Sequence, residues 1–119
     1  MMLELILVMA TTLGLSESFE PRFPEDPQMI YTVQFQYQGV KVGLDWKNRN
    51  LVVPRVCRKS SASQRPQCQL AALKWLEAEC DYLSDIKRPT GTQRELGQAV
   101  CTGANALDEM LQARRIANR

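Results

Sequence analysis

The chain contains no histidine among its 119 residues. This absence excludes Ser-His and Cys-His nucleophile pairs, histidine metal sites, an imidazole general base and an imidazole pH switch. The six glycines are scattered along the chain and form no phosphate-binding loop. A length of 119 residues indicates one domain, which excludes multi-domain enzymes and large α/β folds. A composition of 45% hydrophobic and 24% charged residues nevertheless predicts a folded globular protein.

The sequence also lacks an apolar run long enough to span a membrane. Its longest run, residues 5–15, has about a dozen residues, whereas a helix needs about 20 to cross the hydrocarbon core. This length is typical of the central region of a signal peptide, and serines occupy the −3 and −1 positions of a cleavage site before Phe19. Residues 1–18 are therefore predicted to be the signal peptide of a periplasmic or secreted protein. The start lacks a basic residue, so a buried helix of a cytosolic protein and a misplaced start codon are alternatives.

The four cysteines support export, because an even set in a small chain is typical of disulfide-stapled domains outside the cytosol. A zinc site with four thiolate ligands is one competing interpretation. Zinc ligands usually come in pairs about two to four residues apart, whereas the gaps here are ten, eleven and twenty residues. Free thiols in a cytosolic protein are the other alternative. We predict two disulfides, no metal and no cofactor; the cysteines are Cys57, Cys68, Cys80 and Cys101.

Residues 19–28 contain three prolines in ten positions. Because proline lacks an amide proton and fixes φ, this segment is predicted to be an extended arm. The single folded domain is then residues 29–119. Removal of residues 1–18 takes away two glutamates, which leaves 15 basic and 11 acidic residues and a net charge of +4.

A β-hairpin is predicted where residues 29–37 alternate strictly between apolar and polar side chains. Gln38 and Gly39 form a two-residue loop in which glycine can take positive φ. Pairing Tyr37 with Val40 places eight apolar residues on one face, and a shift of one residue would destroy this match. That face carries Tyr31, Val33, Phe35, Tyr37, Val40, Val42, Leu44 and Trp46, and the opposite face carries Gln34, Gln36, Lys41 and Asp45.

A third strand is predicted after the turn at residues 47–50. Pairing Trp46 with Leu51 also places Leu44 opposite Val53 and extends the apolar face. Pro54 has no amide proton and is expected on an edge strand. Residues 29–56 thus form a predicted three-stranded antiparallel meander, whose apolar face must pack against another element.

Two helices are predicted to cover that face. The first runs over residues 67–86 after Pro66, and its apolar stripe is Leu73, Leu76, Cys80 and Leu83, with Trp75 and Tyr82 beside it and expected in the core. Residues 89–91, Pro-Thr-Gly, end this helix.

Thr92 and Glu95 match a capping box, so the second helix is predicted over residues 93–116. Its stripe contains Leu96, Val100, Ala104, Leu107 and Leu111. Gly97 and Gly103 weaken this helix, and close approach to the other helix would explain them. The predicted fold class is α+β, with the meander packed on an antiparallel helical hairpin at residues 66–117.

The helical hairpin also predicts how the cysteines pair. In an antiparallel hairpin, residues equally far from the bend lie at the same height, and the bend centres near Thr90 and Gly91. Cys80 and Cys101 are each about ten residues from it, so they are expected to form one disulfide. Cys57 then pairs with Cys68. Each bridge is expected to stabilise the fold by about 3 kcal/mol.

The charges predict a basic pole at the open end of the helical hairpin. No acidic residue occurs between Asp45 and Glu77, and the end of the second helix lies level with the start of the first. Cations at a helix C-terminus complement the helix dipole, but that does not explain seven of them together. The alternatives are a solvated surface or a site for an anionic partner. The predicted pole consists of Arg55, Arg58, Lys59, Arg65, Arg114, Arg115 and Arg119.

We therefore expect a non-enzymatic protein-binding module with no catalytic residues, because no constellation that could carry catalysis is present. An inhibitor, an immunity-type factor and an accessory subunit of an envelope secretion or conjugation assembly all fit. The expected partner is a protein with an acidic surface patch. The alternatives are a binder of anionic lipid or nucleic acid and a small enzyme that uses carboxylates or a lysine.

Overall fold

In the computed structural model, residues 28–117 are described. The predicted signal peptide, nearly all of the predicted arm and Arg119 lie outside this range. Two antiparallel strands, β1 (Ile30–Tyr37) and β2 (Val40–Lys47), precede a short strand, β3 (Asn50–Leu51). A 3₁₀ helix (Val53–Arg55) follows, and then two long helices, α1 (Arg65–Ser84) and α2 (Gly91–Ala117). The sheet order is β1-β2-β3, and the predicted α+β fold is confirmed.

The hairpin register is confirmed along its full length. Tyr37 pairs with Val40 at the turn and Tyr31 pairs with Trp46 at the far end. Gln38 and Gly39 have φ values of 52° and 82°, and two central residues with positive φ match the right-handed twist of the flanking strands. On the apolar face of β2, Val42 and Leu44 are at 0% exposure and Trp46 is at 1%, whereas Val40 beside the turn is partly exposed.

The third strand is shorter than predicted. Leu51 pairs with Trp46 as expected, but the predicted pairing of Leu44 with Val53 is wrong because Val53 begins the 3₁₀ helix. Pro54 also lies in that helix rather than on a strand. It cannot donate to a strand ladder, and its fixed φ suits a helical turn. The amide of Arg55 closes that turn on the carbonyl of Val52 at 2.9 Å.

Both helices begin about two residues before their predicted starts. The predicted capping box at Thr92 and Glu95 is wrong: Thr90 Oγ1 accepts from the amide of Gln93 at 3.1 Å, and Gln93 Oε1 accepts from the amide of Thr90 at 2.9 Å. Thr90 can act this way because it lies just outside the helix, where a side chain can reach back to the free amides. Reciprocal bonds of this kind fix the first turn.

The core lies between the sheet and the two helices. Leu76 of α1 and Val100 and Leu107 of α2 are at 0% exposure. Trp75 packs against Phe35 with ring centroids 4.8 Å apart, which confirms its place in the core. Tyr82 was also expected there, but it is 60% exposed because it lies on the side of α1 away from both the sheet and α2.

At Gly103, α2 passes close to Leu51 of β3. A Cβ at this position would meet the Cβ of Leu51 at 3.1 Å, so a larger residue would require Leu51 to shift by a few tenths of an ångström. The sequence predicted that Gly103 would contact the other helix, but its neighbour is Leu51 of β3. Gly97 does face the other helix, where a Cβ would lie 3.5 Å from the Cβ of Leu83.

Both predicted disulfides are confirmed. Cys57 is bonded to Cys68 with a Cα–Cα distance of 6.0 Å, and Cys80 is bonded to Cys101 with a distance of 4.9 Å. The first bridge joins the segment after the 3₁₀ helix to the first turn of α1. The second holds α1 against α2 near their bend. Neither pair is therefore available as zinc thiolates.

Candidate functional site

Asp45 organises the face of the sheet opposite the helices. The alternation of β2 places it on that face, as predicted, yet it is only 2% exposed rather than solvated. Its Oδ1 accepts a hydrogen bond from Thr32 Oγ1 at 2.8 Å across the strand pair. Its Oδ2 accepts from the Nε atoms of Arg55 and Arg58, each at 2.8 Å.

These contacts decide the charge state of the carboxyl group. Burial alone would raise the pKa of Asp45, but hydrogen bonds from Arg58, Thr32 and Arg55, together with the positive charge of Arg58, lower the pKa below its ordinary value of 3.8. Asp45 is therefore an anion at neutral pH. It holds two guanidinium groups beside one oxygen atom, so their Nε atoms are no further apart than twice 2.8 Å.

The local fold explains how both arginines reach this carboxylate. The 3₁₀ helix turns the chain back along the outer edge of β2, and the amide of Cys57 donates to the carbonyl of Gly43 at 3.0 Å. Cys57 has a φ of 62°, an uncommon conformation for a residue with a side chain. The disulfide to Cys68 and the edge hydrogen bond hold this conformation, and they place Arg58 on the same face of the sheet as Asp45.

A groove of about 440 Å³ lies on this face. Its floor is the polar face of the hairpin, and its wall is the segment between the 3₁₀ helix and α1. Asp45 is the one acidic side chain in the lining, and its charge is already engaged by the two arginines. The cations of the groove are Lys41, Arg55, Arg58 and Lys59, and the neutral polar side chains include Thr32, Gln34, Ser60, Ser61, Gln64 and Gln67.

The structure places three of the seven predicted pole residues in this groove: Arg55, Arg58 and Lys59. Arg65 lies behind the wall, where its NH2 group donates to the carbonyl of Ser60 at 2.8 Å. Arg114 donates to Oε1 of Gln69 at 3.0 Å, and this glutamine is only 3% exposed. Arg114 thus fastens the end of α2 to α1, away from the groove.

The remaining two pole residues are separate from these. Arg115 is exposed at the end of α2 and does not line the groove. Arg119 lies outside the described residues. Lys41, Arg55, Arg58 and Lys59 together define the basic groove.

Sequence reasoning missed Lys41 as a site residue and missed the burial of Asp45. A signal for both was present in the strand pattern. Lys41 and Asp45 lie on the same face of β2, and aspartate is unfavourable within a strand unless its carboxylate is satisfied. Thr32 stands directly opposite Asp45 in the predicted register, so one of its hydrogen-bond partners was visible in advance.

The chemistry of the groove is that of anion binding. Arg55 and Arg58 use their Nε atoms on Asp45, which leaves their terminal nitrogens as donors toward the groove, where both side chains are about 40% exposed. Lys59 is exposed beside Ser60 and Ser61, whereas a lysine that activates a hydroxyl is desolvated. Residues 28–117 contain no cluster of three or more acidic or cysteine side chains arranged to hold a metal.

Burial raises the pKa of Glu79 on α1, outside the groove.

Comparison with known protein families, curated proteins and solved structures finds no match. Neither α1 nor α2, the long helices of the described range, combines the length and apolar character needed to cross a membrane. The two disulfides are consistent with an oxidising extracellular compartment.

Proposed function

We propose that this chain is an exported, non-enzymatic binding protein whose basic groove takes an acidic patch of another protein. The observation that carries the proposal is the pair of arginines held on Asp45. Their orientation is fixed before any partner arrives, so little side-chain entropy is lost when a partner carboxylate docks. Arginine also presents paired donors that match the geometry of a carboxylate.

The two lysines of the groove add positive charge but do not help to hold the fold together. Lys41 and Lys59 are exposed, and no contact within residues 28–117 engages either ammonium group. Charges of this kind mainly raise the association rate and set its dependence on salt. The arginines therefore give the groove its fixed geometry, and the lysines attract the acidic partner.

The predicted signal peptide and the two disulfides support export to the periplasm or the secreted fraction. There it serves as an inhibitor, an immunity-type factor or an accessory subunit of an envelope assembly such as a secretion or conjugation machine. The surface supports these roles alike, because each requires a rigid, stapled scaffold with one complementary patch.

Zero-length carbodiimide crosslinking in native envelopes tests the proposal, because this reagent joins a lysine amine only to a carboxylate in direct contact. Mass spectrometry of the products is expected to find Lys41 or Lys59 linked to aspartate or glutamate of another protein. The charge-swapped double variant Lys41→Glu and Lys59→Glu should lose the partner. The matched control exchanges Lys74 and Arg115, which are exposed and outside the groove, for glutamate and should retain it.

Two outcomes would overturn the proposal. One is equal loss of partner in the control variant, because binding would then follow net charge and not the groove. The other is binding of the purified chain to anionic vesicles or single-stranded DNA with a steep salt dependence that the groove variant abolishes. That result would favour the alternative of a lipid or nucleic-acid binder.

A further inference from the structure

The two edges of the sheet differ in how their backbone groups are satisfied. The outer edge of β2 is closed: Leu51 pairs with Trp46, the amide of Val52 donates to the carbonyl of Asp45 at 2.8 Å, and Cys57 donates to Gly43. The opposite edge is β1. In the part of the chain that the structure describes, no strand lies beyond it.

The register shows which groups of β1 face outward. In an antiparallel pair, opposite residues alternate between pairs that bond to each other and pairs whose backbone groups point away from each other. The carbonyls of Gly43 and Asp45 point away from β1, because they accept from Cys57 and Val52 on the far side. Their partners Gln34 and Thr32 therefore point their own amides and carbonyls away from β2, toward the free edge.

Within β1 itself, the sequence and pairing features that normally prevent strand pairing are absent. Proteins protect exposed edges with lysine, proline, bulges or very short strands. The eight residues of β1 read IYTVQFQY and include no charged residue, proline or glycine. The pairing with β2 is regular from Ile30 to Tyr37, so no bulge twists the edge away.

We propose that β1 pairs antiparallel with β1 of a second copy, with Gln34 opposite Gln34 of that copy. In this register Thr32 of each copy stands opposite Gln36 of the other. The backbone groups of Thr32, Gln34 and Gln36 face outward, so these three pairs form about six backbone hydrogen bonds between the copies. On the helix side it places Tyr31 opposite Tyr37 and Val33 opposite Phe35. These side chains are only half-buried in one copy, and cross-strand aromatic and β-branched pairs stabilise sheets.

The occupant is a second copy because the strand is complementary to itself. A neutral strand meets an identical neutral strand without opposing charges, although the whole chain is basic, with a formal net charge of +2. The two-fold axis runs perpendicular to the sheet, so the two three-stranded sheets become one and both basic grooves lie on the same side. The dimer does not depend on what the grooves bind.

Sedimentation equilibrium of the purified chain tests this inference. The full chain is expected to dimerise, and Gln34→Lys should raise the dimer dissociation constant at least about tenfold, because it sets two ammonium groups opposite each other at the axis. Gln98→Lys makes the same substitution on the exposed face of α2 and should leave the constant unchanged. A monomer at all concentrations, or a dimer unaffected by Gln34→Lys, would refute the inference.

Cysteine substitution tests the register without adding charge. Gln34→Cys places two thiols opposite each other at the axis, at a separation that a disulfide can span. Mild oxidation should therefore give a covalent dimer on a non-reducing gel. Gln36→Cys is the matched control, because its expected partner is Thr32 and it should give no such dimer. Covalent dimer from Gln36→Cys and none from Gln34→Cys would contradict the proposed pairing.

Discussion

Asp45 is the residue on which the polar face of the molecule depends. Transfer of a carboxylate out of water is costly unless hydrogen bonds and opposite charges replace its hydration. Here one hydroxyl and two guanidinium groups do so, from positions 10 and 13 residues away in the chain. The same interactions that keep the carboxylate charged also hold the arginines in the groove.

Asp45→Asn is expected to lower the free energy of unfolding at pH 7 by about 2 kcal/mol. This lies below the range for fully buried pairs because both arginines are partly exposed, at 39% and 40%. The folded-state pKa of Asp45 lies below its ordinary value of 3.8. The stabilisation is therefore complete above that pH and is lost as pH falls through the folded-state pKa.

Urea unfolding at pH 7 and at about pH 2 measures this difference. As pH falls through the folded-state pKa, Asp45 becomes protonated, so the difference in unfolding free energy between the native protein and Asp45→Asn should narrow. Asp81→Asn is the control on the exposed face of α1, and a change below about 0.5 kcal/mol is expected at either pH. A constant gap between native protein and Asp45→Asn at both values would show that Asp45 stays charged or contributes only by packing.

The strands and helices are predictable from the sequence where their apolar residues repeat with one regular spacing. The strict alternation of residues 29–37 specified the hairpin register pair by pair. The ends of the elements were less predictable, because proline, threonine and glycine near a boundary allow several stopping points. The end of β3 and the starts of α1 and α2 all differ from the prediction, and each lies within three residues of a proline.

The start of α2 gives a prediction with a matched control in the same turn. Thr90→Ala should lower the free energy of unfolding by about 1 kcal/mol, because it removes the acceptor for the amide of Gln93. Thr92→Ala, two residues later, should change it by less than about 0.5 kcal/mol. Urea denaturation of the two variants measures both. A larger effect at Thr92 would place the cap where the sequence alone suggested it.

At the scale of the whole molecule, the two disulfides constrain different parts of the fold. Cys80–Cys101 joins two helices that already share a packed interface, whereas Cys57–Cys68 fixes the segment that forms the wall of the groove. In the chain-entropy picture, either bridge stabilises the fold by about 3 kcal/mol. Only the second also sets the geometry of the basic groove.

Replacing each cysteine pair with alanine distinguishes stabilisation of the whole fold from the fixing of the groove wall. Both double variants are expected to lose about 3 kcal/mol of unfolding free energy. Hydrogen exchange of the amide at position 57, which donates to the carbonyl of Gly43, should then be faster in the Cys57→Ala and Cys68→Ala variant only. The Cys80→Ala and Cys101→Ala variant is the control, because it also retains one disulfide. Equal exchange of this amide in both variants would show that the bridge does not hold the wall.

The sequence by itself determined the hairpin register, the two helices, their antiparallel pairing and both disulfides. These follow from periods of two and about 3.6 residues and from distances counted from a bend, which are local properties of the chain. Tertiary structure alone decided that Arg55 and Arg58 meet on Asp45 and that Arg114 and Arg115 lie outside the groove. Those placements depend on how an irregular segment packs against a sheet face. Side-chain contacts of that kind are not predicted by any repeating pattern in the sequence.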